Sequence, residues 1–226
     1  MELRNRRMVS IGIGLAVVLF AIAGIALWNF STISHISSGS SELSFELPID
    51  FAKFRAIMVR KNATNAIVAH SGMKVIEERI QDVEIDTKGD TRPILHALVG
   101  KSQSDLWARK LIVVRVHDPE IHAEQLEMTQ SADIQADSME VQTISNRAAG
   151  NLKKYETFLK ATAQRHETTI TVKVNLQIEV IVPKLFVANA DQRVQKAADK
   201  ATREQRAAIE DFIQDHAGAV IVMPEF

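Results

Sequence analysis

The sequence predicts an α+β protein held at a membrane: one N-terminal transmembrane helix, a flexible linker, and a compact mixed α+β domain on the exported side. Three observations lead there. Val9 to Trp28 (VSIGIGLAVVLFAIAGIALW) is apolar or small and uncharged. Ile170 to Val182 places an aliphatic side chain at every second position. Ala190 to Asp215 carries a long helical pattern.

The N-terminal stretch would be about 30 Å long as a helix, the thickness of a bilayer's hydrocarbon core. Arg4, Arg6 and Arg7 precede it, while residues 29–46 contain no Lys or Arg. The positive-inside bias therefore predicts residues 1–8 in the cytoplasm, residues 9–28 spanning the cell inner membrane, and residues 49–226 in the periplasm. A cleaved signal peptide is the competing reading, with Ala21-Ile22-Ala23 as a small-x-small site. The apolar run continues past that site to Trp28, which favours an anchor. Gly12 and Ala16 form a small-xxx-small pair suited to close approach by another helix.

Residues 29–48 are rich in Ser and Thr, with Gly39 among them, and read as a flexible spacer. Phe45, Leu47, Pro48, Ile49, Phe51 and Phe54 mark where packed structure is expected to begin. Asp50 can cap a helix from about Phe51 to Lys61, its stripe being Phe51, Phe54, Ile57 and Met58. The sequon Asn62-Ala63-Thr64 follows. A hairpin is expected next, Asn65–His70 and Met73–Thr87 about a Ser71-Gly72 turn. Lys88-Gly89-Asp90 reads as a turn, and Pro93 opens a short helix to Ser104. Arg109–His117 (RKLIVVRVH) has the apolar run of a strand buried on both sides.

Asp118-Pro119-Glu120 reads as a helix start. From Val116 to Asn146 the chain has no Lys or Arg but seven acids, among them Asp118, Glu127, Asp133 and Glu140. The simplest reading is a solvated acidic helix and loop, and the alternative is a cation-binding or basic-partner surface over 118–140. Met139–Ser145 reads as a short strand. Asn146 can cap a helix to about Arg165, since Ala148, Leu152, Tyr155, Leu159 and Thr162 recur at spacings of four and three. The Ile170–Val182 strand, about 43 Å long, should keep one face on the core and one in water, and Pro183 stops it. In the last helix, Val194, Ala198, Ala201, Gln205, Ala208 and Phe212 form a row, and its alanines suit close packing on a sheet. Gly218 ends it, and Ala219–Met223 reads as a final strand. Residues 50–118 and 146–223 both run helix, strand, helix, strand, as two similar halves would.

Composition excludes several chemistries. The formal net charge is −1. Without Arg4, Arg6, Arg7 and Glu2, the 27 basic and 28 acidic residues become 24 and 27, a balance of −3, which predicts no nucleic-acid partner. There is no cysteine, hence no disulfide, thiolate metal site or cysteine nucleophile. His117, Asp118, Glu120, His122 and Glu124 are the one cluster of metal-ligand types, but Pro119 fans them apart. No G-x-S-x-G elbow, phosphate loop or HExxH occurs. Trp107, beside Arg109 and Lys110, reads as a packing residue or a ligand-stacking aromatic. The sequence thus names no catalytic, cofactor-binding or metal residue. It predicts a non-enzymatic, single-pass scaffold or accessory subunit of a cell-envelope complex. Its partners would be other membrane proteins, a second copy of itself, and the bilayer through residues 9–28. The alternative is a membrane-tethered ligand- or cation-binding module.

Overall fold

The computed structural model describes residues 31–60, 63–70, 73–87, 104–117 and 121–218. In chain order these form β1 (Thr32–Leu47), α1 (Phe51–Arg60), α2 (Ala63–His70), β2 (Lys74–Asp86), β3 (Asp105–Arg115), β4 (Gln125–Ile134), β5 (Ser138–Ser145), β6 (Leu152–Gln164) and β7 (Glu167–Pro183). A short 3-10 turn, Lys184–Phe186, leads into α3 (Val187–Ala217). All strands belong to one sheet ordered β1-β7-β6-β5-β4-β3-β2. Every pairing is antiparallel.

β7 realises its alternation. Thr168, Ile170, Val172, Val174 and Leu176 are buried, while Thr171, Lys173, Asn175 and Gln177 point away. Its inner face meets α3, where Val194 and Ala198 pack on Val174 and Leu176. Toward the other end of α3, Ile209, Phe212 and Ile213 join Phe45, Phe54, Ile57 and Ile170 in the main core. α1 buries Phe51, Phe54 and Ile57, as their spacing predicts.

This architecture corrects the expected fold class. The described residues form one seven-stranded antiparallel sheet with the long helix α3 after it, not a mixed domain of two similar halves over 50–118 and 146–223. Nor does it begin behind a flexible linker. Thr32 to Leu47 of the expected spacer is β1, in register with β7 along its whole length from Thr32↔Pro183 to Leu47↔Thr168. Its inward positions include Ser37, Gly39 and Ser41, small because α3 passes directly over them. A Cβ on Gly39 would lie 2.5 Å from the Val194 carbonyl oxygen. Gln195 Nε2 donates to the Ser40 carbonyl at 2.8 Å, and the Ser40 amide donates back to Gln195 Oε1 at 3.2 Å. The composition of a linker is here the composition of a close helix-on-strand contact.

Three further elements differ. The helix expected over 146–165 is β6, whose inward residues Tyr155, Thr157, Leu159 and Ala161 alternate. A register shift between Leu152 and Lys154 inserts one residue, so the spacing across it becomes three and imitates a helix. Asn65–His70 belongs to α2, and β2 pairs with β3 instead. β3 buries Ile112 and Val114, but Leu111 and Val113 on its other face are only half-buried, so it is covered on one side.

Among the described residues no helix is long and apolar enough to cross a membrane. The span expected at 9–28 lies outside the described residues, as do the turn at 88–90, the helix from Pro93, the 118–120 helix start and the strand at 219–223. The inner-membrane, periplasm-facing scaffold is corrected on these grounds: the standing-off spacer is a sheet strand, and no described helix can serve as anchor.

Candidate functional site

The inner face of the sheet does not close completely on the helices. Between them lies a cavity of about 380 Å³, walled by residues of α1, α2, β2–β6 and α3. Most of the wall is aliphatic or methionine, including Met58, Ile67, Met128, Met139 and Ile209. Val59, Ile80 and Val83 line it yet stand exposed, which places its mouth between α1 and β2.

Sheet register puts one polar band across this apolar wall. Lys110 on β3 lies opposite Gln130 on β4, Gln130 opposite Thr143 on β5, and Thr143 opposite Thr157 on β6. The neighbouring inward row is apolar throughout, from Ala108 through Ala132 and Val141 to Leu159. On the other side Ile112 faces Met128. All four polar residues line the cavity.

Hydrogen bonds run along the band in one direction. Lys110 Nζ donates to Glu78 Oε1 at 2.7 Å and to Thr64 Oγ1 at 2.8 Å. An ammonium only donates, so the Thr64 hydroxyl accepts there and spends its single hydrogen on Gln130 Oε1 at 3.0 Å. The amide orientation of Gln130 follows, with Nε2 turned to donate to Thr143 Oγ1 at 3.0 Å. Thr143, itself buried, is left with a hydroxyl hydrogen that meets no acceptor among the described residues. Glu78 lies against Lys110 at 2.7 Å, so the ammonium at the head of the band has a carboxylate beside it.

Tyr155 forms a second polar point. Gln205 Nε2 of α3 reaches its hydroxyl at 3.5 Å. The residue is only partly buried by area, because its ring borders the cavity, but the hydroxyl is enclosed. Desolvation pushes its pKa up to about 12; the hydrogen bond from Gln205 opposes this and the charge of Glu204 adds to it. A neutral phenol therefore faces the cavity across the working pH range.

A second cleft, of about 480 Å³, lies between the end of β7 and the first turns of α3, with Val180, Val182, Phe186 and Val194 in its walls. It is poorer in chemistry, Arg193 being its only charged lining group among the described residues.

The residues singled out from sequence lie elsewhere. Among the described residues no group of three or more His, Asp or Glu side chains could hold a metal ion. His117, His122 and Glu124 are described; Asp118 and Glu120 are not. Two acids of the described part of the acidic stretch have a base beside them, one on a neighbouring strand and one in the turn after β5. Lys160 on β6 meets Glu140 at 2.6 Å, and Arg147 meets Glu127 at 3.7 Å. Trp107 points to the outer face of β3, where the Arg109 guanidinium stacks 5.1 Å from its ring centre. Lys110, Gln130, Thr143 and Thr157 were invisible as a group, since the strand register alone brings them together. The one signal in the sequence was a polar residue breaking each inward apolar row, as Gln130 does between Met128 and Ala132.

No protein-family model and no curated relative matches the chain. Several solved structures resemble it in outline. One is a protein of Thermus thermophilus, 8% identical, covering 79% of this chain and 99% of that one with a TM-score of 0.46. A START superfamily protein from Mycobacterium smegmatis is 11% identical over 78% and 97%, with a TM-score of 0.45. An aromatase/cyclase from a Streptomyces species is 10% identical over 84% and 100%, with a TM-score of 0.44.

Proposed function

We propose that this chain binds an apolar small molecule in the cavity between its sheet and its helices. The observation that carries this reading is the wall itself: about 380 Å³ of aliphatic lining crossed by one band of convergent polar groups. That volume falls in the range of about 300–1,000 Å³ usual for small-molecule sites, which pair mostly apolar walls with a few placed polar groups. A core with no ligand to accommodate would gain by filling the space, because each unfilled methylene forfeits packing. The role is binding without turnover. Lys110, the amine with nucleophilic potential, is occupied by Glu78 at 2.7 Å and Thr64 at 2.8 Å.

The test is titration of the purified chain with N-phenyl-1-naphthylamine, an apolar fluorophore that brightens in a dry site. Saturable one-to-one binding is expected, weakened at least tenfold by Ala132→Trp, which fills the cavity from β4. Binding that is non-saturable, or unchanged in the filled variant, refutes the assignment.

A further inference from the structure

We infer that the cavity selects a neutral ligand whose apolar body ends in a hydrogen-bond acceptor, a ketone or ester carbonyl, and that Thr143 recognises it. This deepens the proposed function and rests on it. The inference follows from the direction of the hydrogen-bond chain. Lys110 donates to Thr64, Thr64 passes its one hydrogen to Gln130 Oε1, and Gln130 Nε2 donates to Thr143. The polarity set at the ammonium thus arrives at Thr143 as a free O–H in a buried position. A carbonyl oxygen beside Thr143 gives that hydrogen the acceptor it lacks.

Charge excludes the alternatives. Glu78 already lies against Lys110 at 2.7 Å, so a carboxylate entering the band would have to compete with it for that ammonium. An alkylammonium would have to compete with Lys110 for Glu78 and could not accept the Thr143 hydrogen. Thr157, opposite Thr143 on the next strand, adds a second hydroxyl at the same level of the wall. The apolar rows on both sides take the hydrocarbon.

The experiment displaces N-phenyl-1-naphthylamine from the full chain with decan-2-one, decanoate and decylammonium at pH 8. Decan-2-one is expected to compete at least about fivefold better than either ion, the size of one hydrogen bond to a buried group. Thr143→Val should weaken decan-2-one competition about fivefold, each variant being read against its own fluorophore affinity, and Thr143→Ser, which keeps the hydroxyl, should retain it. Equal or tighter competition by decanoate overturns the inference while leaving the cavity reading intact. So does decan-2-one competition that is unchanged in Thr143→Val. If the fluorophore does not bind the wild-type chain, the cavity reading itself falls and this inference with it. The wild-type panel decides the charge preference even if a variant fails to fold.

Discussion

Replacing Gly39 by alanine should loosen the whole helix-on-sheet contact. At that position a methyl group would stand 2.5 Å from the Val194 carbonyl oxygen, 2.8 Å from its carbon and 3.0 Å from the Gln195 Cα. All three are backbone atoms of α3, so no side chain can rotate away. Relief requires α3 to lift from β1 by most of an ångström. Doing so strains the paired bonds between Gln195 and the Ser40 backbone and opens the packing of Val194 and Ala198 on Val174 and Leu176. Overpacking of this kind costs about 1–3 kcal/mol. For a chain of this size that corresponds to a fall in melting temperature of about 3–10 °C. The assay is thermal unfolding by circular dichroism, with Gly218→Ala as the control. Gly218 follows the end of α3, and an added Cβ there meets nothing within 4 Å. Refutation would be a Gly39→Ala melting point indistinguishable from wild type, or an equal loss in the control.

Two further outcomes follow from the same geometry. The chain has a single tyrosine, so absorbance at 295 nm reads Tyr155 alone. Its ionisation should centre near pH 12 in the folded protein and near 10 after denaturation. Because the folded value is the higher one, this contribution to stability is complete below about pH 10. It is lost as pH rises toward 12, amounting at most to about 3 kcal/mol; a native midpoint near 10 would disprove the burial of its hydroxyl. Hydrogen exchange should show slow amides in β1 wherever the N–H points to β7, and deletion of residues 31–47 should prevent folding, because Phe45 and Leu47 leave the core with the strand. Fast exchange across the entire segment would restore it as a spacer.

Local pattern by itself determined the elements whose period is unbroken and whose buried face is made of large apolar residues. β7 is one, with Ile170, Val172 and Val174 alternating, and α1 is another; α3 kept its helical spacing although alanines, Thr202 and Gln205 share its buried face. In these, side-chain size and periodicity report burial directly, because the partner surface asks only for apolar volume. Tertiary structure decided the rest. Ser37, Gly39 and Ser41 look like a tether in one dimension, and only the passage of α3 overhead explains why nothing larger fits there. One inserted residue at Lys153 turned a strand's period into a helix's. The acids of β4 and β5 seemed unbalanced until antiparallel pairing brought Lys160 to Glu140. The candidate site was the least legible feature of all. Lys110, Gln130, Thr143 and Thr157 are separated along the chain by 13 to 20 residues, and nothing local distinguishes them from other polar strand residues. Strand register, a long-range property, sets them side by side.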